Sequence, residues 1–173
     1  LSPGQIYAIG AVADSSNQPY CSGTLIAPTW VLTAGHCQVS TSARFCIGES
    51  ATPSVCLSLR RVVNNPNADM ALLELTQEAR ISLPSVVPIP IINEALDASW
   101  VGVTAEIAGY GQQENNNFGV REFAAEPIAA VDASYVTVNG QGARGACFGD
   151  SGGPVMVVAS DSSVRVAGDL SNG

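Results

Sequence analysis

The pattern that most restricts this chain is a succession of short β-prone, apolar segments cut by turn residues. No stretch convincingly sustains the 3.6-residue repeat of an amphipathic helix. Gln5 to Ala13 reads as a strand, Asp14 to Pro19 as a turn, and Tyr20 to Ile26 as a second strand. Trp30 to Thr33 is a third, and residues 43–48 and 55–63 are two more around a Pro-containing loop. The run Ala68 to Leu75 holds good helix formers, but it is short and follows a turn, so it reads as a buried strand. Ser82 to Ile92 carries three prolines and suits an extended connection, which sets the boundary between residues 1–92 and 93–173. The second half repeats the manner, with strands at Val103 to Ala108, Glu122 to Ala130, Ser134 to Val138, Val155 to Ala159 and Val164 to Gly168. Short strands at regular spacing define an all-β barrel or sandwich.

Composition narrows the partners. Seven basic residues, all arginine, face fifteen acidic ones for a net charge of −8. That balance argues against nucleic acid and anionic membranes, both of which demand basic patches. The longest apolar runs are too short to span a bilayer, and no charged-then-apolar leader opens the chain, which reads as a mature or trimmed product. Five cysteines with no C-x-x-C spacing, beside one histidine, argue against a zinc site and for disulfides formed outside the reducing cytosol. Cys46 and Cys56 flank a hairpin loop, as a cross-strand staple would.

Three sites carry candidate chemistry. Gly149-Asp150-Ser151-Gly152-Gly153-Pro154 presents one hydroxyl on a glycine-rich turn, where backbone N–H groups can converge beside it. Alone, it reads first as a plain Gly-rich turn. His36, the only histidine, closes an apolar strand in Thr33-Ala34-Gly35-His36-Cys37. A single histidine is more often structural, yet imidazole ordinarily titrates near ~6.5 and is the natural general base at neutral pH. Asp69 lies in the apolar run Ala68-Asp69-Met70-Ala71-Leu72-Leu73, where a part-buried carboxylate demands a partner. An imidazole N–H would satisfy it; an Asp capping a turn is the plainer alternative.

Taken together, these patterns resemble the chymotrypsin/trypsin family of serine endopeptidases. The resemblance rests on Cys21-Ser22-Gly23-Thr24-Leu25-Ile26, Val31 to Cys37, Ala68 to Leu73, Ala108-Gly109-Tyr110-Gly111 and Gly149 to Pro154, and covers essentially the whole chain. It implies two antiparallel Greek-key β-barrels, the first (1–92) carrying His36 and Asp69 and the second (93–173) carrying Ser151. It implies Ser151 as nucleophile, His36 as general base and then acid, Asp69 as orienting carboxylate, and the N–H groups of Gly149 and Ser151 as oxyanion hole. Cys21–Cys37 matches the family disulfide that brackets the histidine loop, and Ser171 matches the serine that supports the buried aspartate. Cys46–Cys56 matches no common family disulfide and rests on the hairpin spacing alone.

The substrate pocket would be formed by Gly145, Ala146, Phe148, Leu170, Asn172 and Gly173. Gly145 stands where a trypsin-like pocket carries its aspartate, so Lys or Arg preference is not expected. An uncharged, apolar P1 side chain fits better, with Arg144 beside the base as the route to an acidic one. Asn172 replaces a usual aromatic and Asp169 a usual apolar residue.

Two family features are not in this sequence. The Ile/Val-Val/Ile-Gly-Gly terminus whose amine pairs with the aspartate before the nucleophile, here Asp150, is replaced by Leu1-Ser2-Pro3-Gly4. The family's last strand and C-terminal helix do not follow Gly173, and Cys147 would pair with a cysteine in that segment. The expectation is a secreted endopeptidase acting on polypeptides without cofactor or metal, with a C-terminal chain or a protein inhibitor as further partners. The alternatives are an inactive zymogen or autolysed fragment, and a non-catalytic protein-binding homologue.

Overall fold

A computed structural model describes residues 1–50, 55–113, 118–140 and 146–171. Six strands, β1 (Ile9–Ala13), β2 (Pro19–Ala27), β3 (Trp30–Thr33), β4 (Arg44–Ile47), β5 (Val55–Asn64) and β6 (Ala71–Leu75), close into an antiparallel barrel. Their order is β1-β2-β3-β6-β5-β4, and β4 returns to pair with β1, so the sheet has no free edge. β6 shows the alternation expected of such a wall: Ala71, Leu73 and Leu75 are buried while Leu72 and Glu74 are only partly so. The second half is a five-stranded antiparallel sheet of β7 (Thr104–Gly109), β8 (Glu122–Val131), β9 (Val136–Val138), β10 (Pro154–Val158) and β11 (Val164–Asp169), in the order β11-β10-β7-β8-β9. Among the described residues this sheet does not close upon itself.

The expected strands are present with small shifts, and one end differs. The strand read from Gln5 begins only at Ile9, because Ser2 to Ile6 turn into a short helix, α1 (Pro3–Ile6). The Ser2 hydroxyl accepts from Gln5 N and the Gln5 side chain accepts from Ser2 N, a reciprocal capping box, with Pro3 leading the first turn. Ahead of the Pro-rich connection lies a second single turn, α2 (Ala79–Ser82).

The main apolar core fills the barrel and reaches out of it. Phe45, Leu25, Leu73 and Ile9 are joined there by Ala108, Tyr110, Met156 and Val166 from the second half. Tyr110 is fully buried, and its hydroxyl donates to the carbonyls of Ile9 and Gly48. A smaller cluster of Ala105, Ile107, Ile128, Val155, Val157 and Leu170 lines the five-stranded sheet. The two halves therefore share a packed seam, and the candidate residues lie along it.

Candidate active site

His36 sits on a single 3₁₀ turn (Gly35–Cys37) that breaks the chain just after β3. Cys37 in that turn is bonded to Cys21 on β2, with a Cα–Cα distance of 6.3 Å, so the turn is stapled to the neighbouring strand. Asp69 stands two residues before β6, and β6 pairs with β3, which brings the carboxylate back beside the turn. The contact is two-pronged. His36 N donates to Asp69 Oδ1 at 2.7 Å, and His36 Nδ1 lies 2.7 Å from Asp69 Oδ2. The Ser171 hydroxyl donates to the same Oδ2 at 2.5 Å. Burial works to raise the Asp69 carboxyl, but the hydrogen bonds from Ser171 and His36 outweigh it and hold the group below its ordinary range. A carboxylate that accepts at Nδ1 leaves the proton on that nitrogen and Nε2 free to accept.

Ser151 belongs to the turn that leads into β10, and this turn packs directly on the histidine turn. Gly152 has φ +83°, and a methyl group there would run into Thr33 Oγ1, Ser22 O and Ala34 N. Gly149 has φ +93° with the Phe118 ring against it. Both positions therefore require glycine for conformation and for space. No hydrogen bond joins the Ser151 hydroxyl to the His36 ring in this structure. Such contacts are often loose before a substrate tightens them.

A residue that the motif reading passed over ties these parts together. Ser22 on β2 is fully buried. Its N–H donates to Ser151 O at 2.8 Å, its hydroxyl donates to Gly149 O at 2.8 Å, and Tyr110 N donates to that hydroxyl at 2.9 Å. Ser22 O in turn accepts from Thr33 Oγ1 at 2.7 Å, one strand away. The signal available in the sequence was a serine inside an apolar strand beside a cysteine.

Asp150 turns inward. Its two oxygens accept from Gly111 N and Cys147 N, each at 2.8 Å. Burial pushes its carboxyl up, against those two N–H groups, and the charge of Glu122 adds to the rise. Among the described residues no positive group forms an ion pair with it. Of the expected pocket residues, Leu170 is buried, Ala146 is half-buried and Phe148 is 83% exposed. Gly145, Asn172 and Gly173 lie outside the described residues, as does Arg144. Cys46 and Cys56 face each other across β4 and β5 and form the second disulfide, and Cys147 is free and exposed.

A closed Greek-key barrel, an adjoining antiparallel sheet and a His–Asp pair at their seam define the chymotrypsin-like class of β-proteins. The trypsin family model matches residues 2–171, and the chain belongs to that family. It is 29% identical to rat vitamin K-dependent protein C, over 83% of this chain and 38% of that protein. It is 25% identical to a trypsin of Simulium vittatum, over 91% of this chain and 74% of the relative. Trypsin 5G1 of Aedes aegypti is 27% identical over 79% of this chain and 61% of its own length. The chain thus spans under two thirds of the length of two of these three relatives. No helix among the described residues is long and apolar enough to cross a membrane.

Proposed function

We propose that this chain is the catalytic part of a secreted serine endopeptidase that cleaves polypeptides through an acyl-enzyme. Residues 1–92 supply the base and its orienting carboxylate, and residues 93–173 supply the nucleophile. Ser151 Oγ attacks the scissile carbonyl while His36 Nε2 takes its proton. Asp69 keeps the other ring proton on Nδ1 and stabilises the imidazolium that forms. The N–H groups of Gly149 and Ser151 receive the charge on the carbonyl oxygen; losing one such donor typically costs ~10²–10³ in rate. His36 then protonates the leaving amine, and water repeats the sequence to release the acid. The observation that carries this reading is the double hydrogen bond from His36 to Asp69, completed by Ser171.

In the family's pattern the pocket-base position falls on Gly145 in place of a carboxylate, so an uncharged apolar P1 side chain is the preferred one. A second reading, an inactive precursor, is favoured by Asp150, whose buried carboxyl meets only N–H groups among the described residues. Peptide p-nitroanilides varied at P1 test both. Hydrolysis of Leu or Phe substrates ahead of Lys and Arg, falling at acid pH and abolished in Ser151→Ala and His36→Ala, is the expected result. Lys or Arg preference would overturn the pocket assignment. Silence until limited proteolysis would identify a precursor, and silence afterwards would end the protease reading.

A further inference from the structure

Asp169 ends β11, opposite Pro154 of β10. Two residues on, Ser171 reaches Asp69. Alternate residues of an extended chain face the same side, so positions 169 and 171 share one face. Leu170 between them is 7% exposed and packs with the apolar cluster of the five-stranded sheet. Its backbone is held on both sides by the nucleophile turn: Leu170 N donates to Gly153 O at 2.8 Å, and Gly152 N donates to Leu170 O at 2.7 Å. The segment is thus a short bar fixed between the Ser151 turn and Asp69.

The Asp169 carboxyl lies on that bar with its Oδ2 buried and without a hydrogen-bond partner. An unpaired buried carboxylate oxygen is costly. Burial above all, with the charge of Asp69 adding to it, pushes the group up to about 7, against the hydrogen bond from its own backbone N–H and the charge of His36. β10 offers no titratable side chain, and Arg165 on β11 is taken by Asp161 and Ser163. The charges that act on Asp169 are therefore those of the Asp69–His36 pair.

We propose that Asp169 is a positioning residue of the candidate triad, a second carboxyl behind Asp69 whose charge sets how firmly His36 holds its proton. As a neutral acid it leaves Asp69 alone to face the imidazole. Once ionised, it places a second negative charge there and favours the imidazolium. Its effect on catalysis rests on the protease reading above; the electrostatic coupling itself does not.

Because His36 is the only histidine, its ring signal can be followed by NMR in the full chain from pH 4 to 9. Removing a neighbouring negative charge disfavours the cation, so in Asp169→Asn the His36 midpoint moves to lower pH, by about one unit for a close charge. The acid limb of kcat/KM moves with it. In the wild type the His36 curve departs from a one-site shape, because the charge that Asp169 gains with rising pH acts on the ring; in Asp169→Asn it becomes one-site. Superimposed midpoints, or an upward move, would overturn the proposal. Should Asp169→Asn fail to fold, the wild-type curve decides alone: a clean one-site titration refutes the coupling. A shifted His36 signal in a chain that cleaves nothing would sink the protease reading and leave the coupling standing. Cleavage with unshifted signals would do the reverse.

Discussion

Ser22 is a small side chain with a large share of the site's order. It satisfies one N–H and two carbonyls on two different segments, and two of those groups, Ser151 O and Gly149 O, belong to the Ser151 turn. Ser22→Ala would leave Gly149 O and Tyr110 N without their partner in a buried place. Each unsatisfied group typically costs ~1–3 kcal/mol, although part of that is recovered by local relaxation. The expected outcome is a clear loss of stability by denaturant unfolding and a fall in kcat that exceeds any rise in KM, since Gly149 is the proposed oxyanion donor. An unchanged kcat would detach Ser22 from the turn. Motif reading could not find this role. A hydroxyl in a strand declares its partners only when strands from both halves meet around it. Asp169 was visible as a departure from an apolar position, but the burial of its Oδ2 required the fold.

At the scale of elements, the His36 turn is held by covalent and packing constraints together. The Cys21–Cys37 bond closes 16 residues of chain, worth about 3 kcal/mol in the chain-entropy picture. Cys46–Cys56 spans only 10 residues and joins positions already opposite each other in the β4–β5 ladder. Both double alanine variants are expected to be less stable. Only Cys21→Ala with Cys37→Ala should also lower turnover, because it alone frees the turn that carries His36. Equal turnover losses in the two variants, compared at a temperature where both are folded, would contradict this. Strand positions were legible because β-prone runs alternate with turn residues, and β2, β3, β5 and β10 lie close to where the pattern puts them. The start of β1 was misread because a β-prone run from Gln5 masks the Ser2–Gln5 capping box, which spends those residues on α1. The expected strand Ala68 to Leu75 starts only at Ala71, which leaves Asp69 on the approach to the sheet, free to turn toward His36.

At the scale of the whole molecule, the seam between the barrel and the five-stranded sheet brings together the candidate residues that neither half holds alone. Tyr110, Met156 and Val166 pack with barrel residues, while Ser22 N holds the Ser151 turn from the barrel side. Family membership was legible at this scale because the TAGHC and GDSGGP stretches are long, specific and far apart in one chain. The state of Asp150 was not, since its surroundings depend on how Gly111 and Cys147 fold around it. The account's central claim is that Ser151 is a nucleophile activated by His36. Stoichiometric reaction with a fluorophosphonate probe, read by intact mass and mapped to a peptide, tests it most directly. The expected result is one adduct per chain on Ser151, formed more slowly as the pH falls and absent from both Ser151→Ala and His36→Ala. An adduct on another serine, or none after limited proteolysis of the full-length precursor, would contradict the claim.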